Sequence, residues 1–188
     1  MPEICPYNPN WPVSFRSIAA DLRCAFGDRA MRIDHIGSTS VPGLAAKDRI
    51  DIQVTVASLN EDLRSKLLGL GYSQWQGLMH DHVPPGAITA SEEWEKWLFM
   101  QREKQPSANI HIRIQGRANQ RYPLLFRDYL RTHPATAQAY AELKYRLAAN
   151  LADPQTYPDV KDPAVDLIYL AAEDWASLTG WHPGLSDV

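Results

Sequence analysis

The 188-residue sequence predicts an α/β fold: a mixed sheet flanked by helices, followed by a helical C-terminal portion. Three observations carry that reading. Ile50, Ile52, Val54 and Val56 alternate with Asp51, Gln53 and Thr55, the period of two expected of a strand with one apolar face. Phe15, Ile18, Leu22 and Phe26 recur at helical spacing until Gly27 stops them. In the last third, helix-forming segments follow one another with proline at their starts.

The length suits one domain spanning 1–188, with a core over about residues 12–116 and a helical portion over about 117–180. Hydrophobic residues make up 45% and the net charge is −3, which gives no general reason to expect nucleic-acid binding. Cys5 and Cys24 lack metal spacing and are too few for a disulfide framework. The first residues show no basic region leading into an apolar run, and no stretch approaches the roughly 20 apolar residues of a membrane span. A cytoplasmic protein with no membrane partner is the expectation, and oligomeric state is left open.

Taking the elements in order, Pro6, Pro9 and Pro12 make an extended arm, and Pro12 suits the first turn of the helix carrying Phe15 to Phe26. Trp11 is expected to pack in the core or on the arm. Met31 to Ile36 reads as the first strand, and Ile50 to Val56 as the second. Ser58 to Glu61 has capping-box spacing before Leu59, Leu63, Leu67 and Leu70, with Gly69 and Gly71 ending that helix. Tyr72 to Gln76 reads as a strand, followed by an irregular stretch with His80, Asp81 and His82. That triplet admits a metal reading, a pocket-lining reading and a plain loop reading.

Trp94 to Arg102 is ambiguous, since Ser91 could cap a helix while Trp97-Leu98-Phe99-Met100 suits a buried strand. As a strand it would form a hairpin with Asn109 to Gln115 across Lys104 to Ala108, which carries turn chemistry. Ile110, Ile112 and Ile114 then face one side, and His111 and Arg113 the other. Leu124 to Leu130, Pro134 to Leu151, and a segment opened by Asp162-Pro163 give three helices, and the tail from Gly180 is expected to be loosely ordered.

The chemistry concentrates between the first two strands. Gly37 allows close backbone approach, and Ser38, Thr39 and Ser40 offer hydroxyls and amides at a turn that favours an anion, usually phosphate. Asp51 emerges beside that turn, and a phosphate cradle next to a strand carboxylate can hold a Mg²⁺-nucleotide. A tight turn feeding a half-buried strand is the alternative. His35 either touches the phosphate or hydrogen-bonds the loop, and Lys47 is placed for a phosphate contact. If the strands bearing Asp51 and His111 are neighbours, Asp51, Gln53, His111 and Arg113 converge. His111 is then a metal ligand, a general base or a partner of Asp51, and Arg113 offsets phosphate charge. A cross-strand polar pair on a solvated face is the rival reading.

The run from His35-Ile36-Gly37-Ser38-Thr39-Ser40-Val41-Pro42-Gly43-Leu44 to Lys47, followed by Ile50-Asp51-Ile52, resembles the signature of the GrpB family. The resemblance continues through Asn109 to Ile112, Phe126 to Arg131, Pro134, Tyr140, Leu143-Lys144 and Tyr157 to Lys161. It implies a nucleotidyltransferase-like fold whose pattern is Gly-Ser, about a dozen residues, then an acidic-apolar-acidic strand. Arg127, Arg131, Lys144 and Lys161 resemble recurring family positions that could close over a nucleotide or acceptor. Two departures stand out. Gln53 replaces the second acid and cannot supply charge to a metal, and Asp48 stands where proline is expected.

Together these imply a metal-dependent transferase moving a nucleoside monophosphate from a nucleoside triphosphate to a small acceptor. Asp51 would bind Mg²⁺, with Asp51, Ser38 and His111 at the reaction. His35, Gly37, Ser38, Thr39, Lys47, Gln53, Arg113, Arg127, Lys144 and Lys161 would contact substrate. The alternative is a non-catalytic module that binds a nucleotide or coenzyme A, since the family's domain is sometimes joined to dephospho-coenzyme A kinase. No serine is paired in sequence with a base and an orienting group, which disfavours a hydrolase.

Overall fold

Pro12 lies in the first turn of α1 (Trp11–Phe26), whose buried face is Trp11, Phe15, Ala19, Leu22 and Phe26. In this computed structural model residues 3–77, 79–101 and 107–188 are described. The chain then builds β1 (Arg32–Ile36), β2 (Ile50–Val56), α2 (Glu61–Gly69) and β3 (Ser73–Gln74). A 3-10 turn over Ser91–Trp94 precedes β4 (Trp97–Gln101) and β5 (Ala108–Ile114). Three helices close the chain: α3 (Ala118–Thr132), α4 (Pro134–Asn150) and α5 (Tyr157–Thr179).

The five strands form one mixed sheet in the order β1-β2-β5-β4-β3. β2 pairs antiparallel with β1 and parallel with β5, while β4 pairs antiparallel with both β5 and β3. The parallel pair places Asp51 beside Asn109, Gln53 beside His111 and Thr55 beside Arg113. Ile50, Ile52 and Val54 of β2 and Ile110 and Ile112 of β5 are fully buried in one apolar cluster with Phe15, Leu22 and Leu67. A second cluster joins Val41 and Leu44 of the loop after β1 to Leu125, Leu130, Tyr140 and Ala172 of the C-terminal helices. The turn between β1 and β2 therefore lies where sheet and helices meet.

Four expectations are corrected. The α2 cap is Asn60, whose side chain accepts from Leu63 N at 3.2 Å, and not Ser58: its extended backbone lets the short amide reach the third helical N–H. β3 is only two residues long, because Tyr72 is buried in the core and, after Trp75 N donates to Leu98 O at 2.8 Å, the chain turns at Gln76 and Gly77. α5 begins at Tyr157, five residues before Asp162, and Pro163 lies inside it; Pro163 and Asp159 are both exposed, so the carbonyl deprived of a donor can be solvated.

The tail docks. Ile33 N donates to Ser186 Oγ at 2.9 Å, His35 N donates to Asp187 Oδ2 at 2.9 Å, and Val188 N donates to Ile33 O at 3.2 Å. β1 is an edge strand, and the tail satisfies donors that the sheet leaves open. Ser91 heads the 3-10 turn, so the ambiguous stretch resolves into a turn followed by a strand. The β4–β5 pairing is a hairpin, and residues 104–106 of its expected turn, like Arg102, lie outside the described residues. Trp11 is buried and its Nε1 donates to Asp48 Oδ1 at 2.7 Å, so the carboxylate standing where proline was expected ties the loop to α1.

Candidate functional site

Gly37 turns the chain out of β1 at φ 70° and ψ −174°. A Cβ there would lie 2.6 Å from Asp51 Oδ2, so the glycine is what lets the carboxylate sit against the loop. Ser38–Ser40 then make a single 3-10 turn, closed by Ser40 N and Oγ donating to Gly37 O at 3.2 and 2.6 Å. The amides of Ser38 and Thr39 precede the first bond made inside that turn. Three groups brace it from behind. Arg131 donates twice to Ser40 O, His35 Nε2 lies 3.0 Å from Thr39 Oγ1, and Arg127 donates to His35 O at 3.0 Å.

Beside the turn opens a cavity of about 230 Å³ whose lining includes Ser38, Thr39, Lys47, Arg49, Asp51, Asn109, Tyr140, Lys144, Tyr157 and Lys161. Four cations thus face one carboxylate. Lys144 is 3% exposed, and its Nζ donates to Ser38 Oγ at 2.9 Å and to Ala45 O, with the Tyr140 ring 4.5 Å away. Burial, reinforced by the charge of Lys161, pulls its pKa down to about 7. Lys47 lies over the Tyr157 ring at 4.3 Å, its pKa lowered by burial and by Lys161 and Arg49. Burial holds Tyr140 protonated well above the usual phenol range.

Asp51 accepts from Asn109 Nδ2 at 2.7 Å and lies 3.6 Å from His111 Nε2. Burial works to raise its pKa, but His111, Asn109 and Arg49 outweigh that and lower it, so the group is an anion at neutral pH. Burial in turn lowers the pKa of His111, with Arg113 and Lys96 acting in the same sense.

Two residues further along the same face the setting changes. Gln53 is fully buried: its Nε2 donates to Gln120 O at 2.9 Å, and its Oε1 accepts from Arg113 at 2.9 Å. Arg113 also grips Asp81 through two donors at 2.8 and 3.0 Å, and Lys96 shares that carboxylate. Burial would raise the Asp81 pKa, and the two cations hold it far below the carboxylate range instead.

The expected convergence of Asp51, Gln53, His111 and Arg113 is therefore present in register, but it splits. Asp51 faces the cavity, with His111 3.6 Å from it and outside the cavity lining, while Gln53 is bonded beneath α3 and Arg113, bonded to Gln53 and Asp81, lines a different cavity. His35 is also enclosed, stacked on Phe15 at 4.8 Å, with burial bringing its pKa to about 4. Arg127 donates to Asp128, Asp187 and His35 O, away from the cavity. Ser38, Thr39, Lys47, Asp51, Lys144 and Lys161 do come together at it, with Gly37 against Asp51.

The description GrpB protein matches residues 1–170. The chain belongs to the GrpB family. It is 37% identical over 196 residues to a protein of Mycolicibacterium paratuberculosis named dephospho-CoA kinase, covering 96% of this chain and 48% of that one. It is 32% identical over 169 residues to a UPF0157 protein of Pseudomonas aeruginosa, covering 87% of this chain and 64% of that one. The solved structure of the conserved protein GrpB from Enterococcus faecalis superposes with a TM-score of 0.70 at 26% identity, over 92% of this chain and 99% of that one. This chain spans about half the length of the mycobacterial relatives it matches.

For this GrpB-family member the fit to Mg²⁺ is decided by donor chemistry. Magnesium is usually held through one or two carboxylates with phosphate oxygens completing an octahedron. Here Asp51 is the one carboxylate lining the cavity among the described residues, Asn109 already donates to it, and four basic side chains share the lining. No group of three or more His, Cys, Asp or Glu side chains is placed to hold a metal among the described residues, the His80–His82 stretch included. The residues present do not fit a resident Mg²⁺. His82 instead faces Asp166 at 3.0 Å, and His80 bonds Ser91 at 3.1 Å.

Arg49, Asn109, Tyr140 and Tyr157 were not assigned to the site from sequence. Asn109, Tyr140 and Tyr157 lie within stretches that carry the GrpB resemblance, which is the signal that could have flagged them. Arg49, two residues before Asp51, gave none. No helix among the described residues is long and apolar enough to cross a membrane.

Proposed function

We propose that the cavity at the end of β2 binds the phosphate groups of a nucleotide or a nucleotide-bearing metabolite. The observation that carries this is Lys144, a buried amine with no carboxylate partner among the described residues, lining a cavity with Lys47, Arg49 and Lys161, the last also 3.4 Å from Asp162, where Asp51 is the one carboxylate of the described lining. A buried cation is costly unless paired, and a phosphate supplies the missing charge. Ser38 and Thr39 add hydroxyls and amides, and Tyr140 and Tyr157 form apolar walls that strengthen charge attraction by excluding water. The relatives named dephospho-CoA kinase support a ligand of the coenzyme A class, although this chain spans only half of them. Four protein cations here take on the neutralising role that a metal performs elsewhere.

A second reading is favoured by one observation: Asp51 is kept ionised right against Gly37, where an anionic side chain in a pure anion site would repel the ligand. On that reading the protein is a nucleotidyltransferase whose Mg²⁺ would have to arrive with the phosphates, and His111, 3.6 Å from Asp51, would position the carboxylate.

A thermal-shift series separates the two, because any ligand that binds the native state raises its apparent stability. The probes are pyrophosphate, ATP, dephospho-coenzyme A and coenzyme A, with EDTA or with Mg²⁺, on wild type, Lys144→Met and Asp51→Asn. The expected result is a shift in EDTA that Lys144→Met abolishes and Asp51→Asn retains or enlarges. A shift that requires Mg²⁺ and disappears in Asp51→Asn would favour the transferase. Absence of any shift with every phosphate compound would overturn both.

A further inference from the structure

A second cavity, of about 460 Å³, adjoins the first. The first turn of α5 separates them, since Pro158 and Lys161 line both. The two differ in chemistry. The first is small and cationic, whereas Trp94, Tyr122, Pro123 and Val165 give the second an aromatic and apolar wall. Its volume falls within the roughly 300–1,000 Å³ of small-molecule sites.

Its charges are largely spent on each other. Asp81 is held by Lys96 and Arg113, and Lys161 lies 3.4 Å from Asp162. Asp159 and Asp162 at the α5 wall disfavour a second anionic group. Asn119, which lines it and is 1% exposed, gives its Nδ2 to Asp81 at 3.1 Å and to Glu95 O at 2.8 Å, and its buried Oδ1 has no partner among the described residues. Those two bonds fix which end of the amide is which, so the unbonded group is an acceptor. Tyr122 stands beside Trp94 with ring centroids 6.3 Å apart, and burial keeps its hydroxyl protonated.

We propose that this second cavity is a nucleobase site, taking a planar, uncharged ring that bears an N–H donor, adjacent to phosphates bound in the first. The aromatic wall supplies faces or edges for the ring, Asn119 Oδ1 is the buried, unbonded acceptor for the donor, and Lys161 stands between base and phosphates. The continuity of base and phosphates in one ligand rests on the phosphate reading above; the base site itself does not.

The test uses adenosine, which has no phosphate, and pyrophosphate, which has no base, on the full chain. Chemical-shift mapping with adenosine at millimolar concentration is expected to move the Trp94 indole and Asn119 amide signals. Pyrophosphate is expected to move those of Ser38, Thr39 and Lys144. Val165→Trp, which fills the cavity, and Tyr122→Leu, which removes a ring, should each weaken adenosine at least fivefold while leaving pyrophosphate unchanged. ATP should bind at least tenfold more tightly than either part alone. If adenosine shifts no resonance of the second cavity in wild type, or if Val165→Trp and Tyr122→Leu bind it as wild type does, the proposal is overturned. Loss of pyrophosphate binding alone would sink the phosphate reading and leave this one standing.

Discussion

Asp51 and Arg113 lie on the same face of two adjacent parallel strands, yet they belong to opposite kinds of polar structure. Around Arg113 every charge has a partner: Asp81 takes bonds from Arg113, Lys96 and Asn119, and Gln53 links Arg113 to a helix carbonyl. Around Asp51 the balance fails. Lys144 is as deeply buried as Arg113, at 3% against 5% exposed, and among the described residues it has only a hydroxyl, a carbonyl and a ring. Burial alone does not mark a functional residue. An ion whose partners are on the chain serves the fold, and one without such a partner is where the proposed phosphate would sit.

That contrast breaks first at Asp81. Asp81→Ala leaves Lys96 and Arg113 buried without their carboxylate, and a loss of about 3–5 kcal/mol in denaturant unfolding is expected. If urea unfolding shows less than about 1 kcal/mol, the network is not what holds the α3 side of the sheet.

His35 gives the next largest effect. Its folded pKa, near 4, lies below the ordinary 6.5, so the unfolded chain takes up its proton first as pH falls. The stability it contributes is whole above pH 6.5 and is lost between pH 6.5 and 4, by about 3 kcal/mol at roughly 1.4 kcal/mol for each unit. Urea titrations of wild type and His35→Gln across that window should converge as pH falls; parallel curves would refute the buried neutral imidazole.

Gly37→Ala should cost about 1–3 kcal/mol, because its backbone angles suit glycine nearly alone and the new Cβ meets Asp51 Oδ2. Shortening the partner, in Gly37→Ala with Asp51→Ala, should recover part of that cost, namely the contact but not the backbone strain. Full additivity of the two single changes in thermal unfolding would show that they do not touch.

The smallest stability effect is expected at Lys144→Met, within about 1 kcal/mol of wild type or more stable, since a buried unpaired ammonium is replaced by an apolar chain of similar length. Its pH signature sharpens the comparison. With the folded pKa near 7 and the ordinary value 10.5, the unfolded chain holds the extra proton between those limits. Wild type therefore gains stability relative to Lys144→Met as pH rises from about 7 to 10.5. Phosphate affinity should fall over the same rise, and pyrophosphate calorimetry at pH 6 and 9 checks it. A Lys144→Met loss as large as that of Asp81→Ala would erase the distinction between the two regions.

Much of this was legible in the residues. The period of two in β2 and β5, the helical spacing of α1 and the Gly37 to Ser40 turn are local properties, and they located strands, helix and loop within a few residues. The failures were those of context. Asn60 outcompeted Ser58 as a cap, α5 ran through Pro163, and the tail found an edge strand that no local pattern announces.

The sequence by itself determined the fold class, the family and the turn that brings Gly37 against Asp51, because alternation, helical period and a long local motif are written in neighbouring residues. Only the tertiary structure decided which polar side chains are available. Gln53, His35 and Arg127 read as binding groups in the sequence and are enclosed and satisfied in the fold, Arg113 is spent on Asp81 and Gln53, and Lys144, 106 residues from Ser38 in the chain, reaches its hydroxyl. The reason is that burial and charge pairing depend on which segments pack together, and no residue carries that information alone.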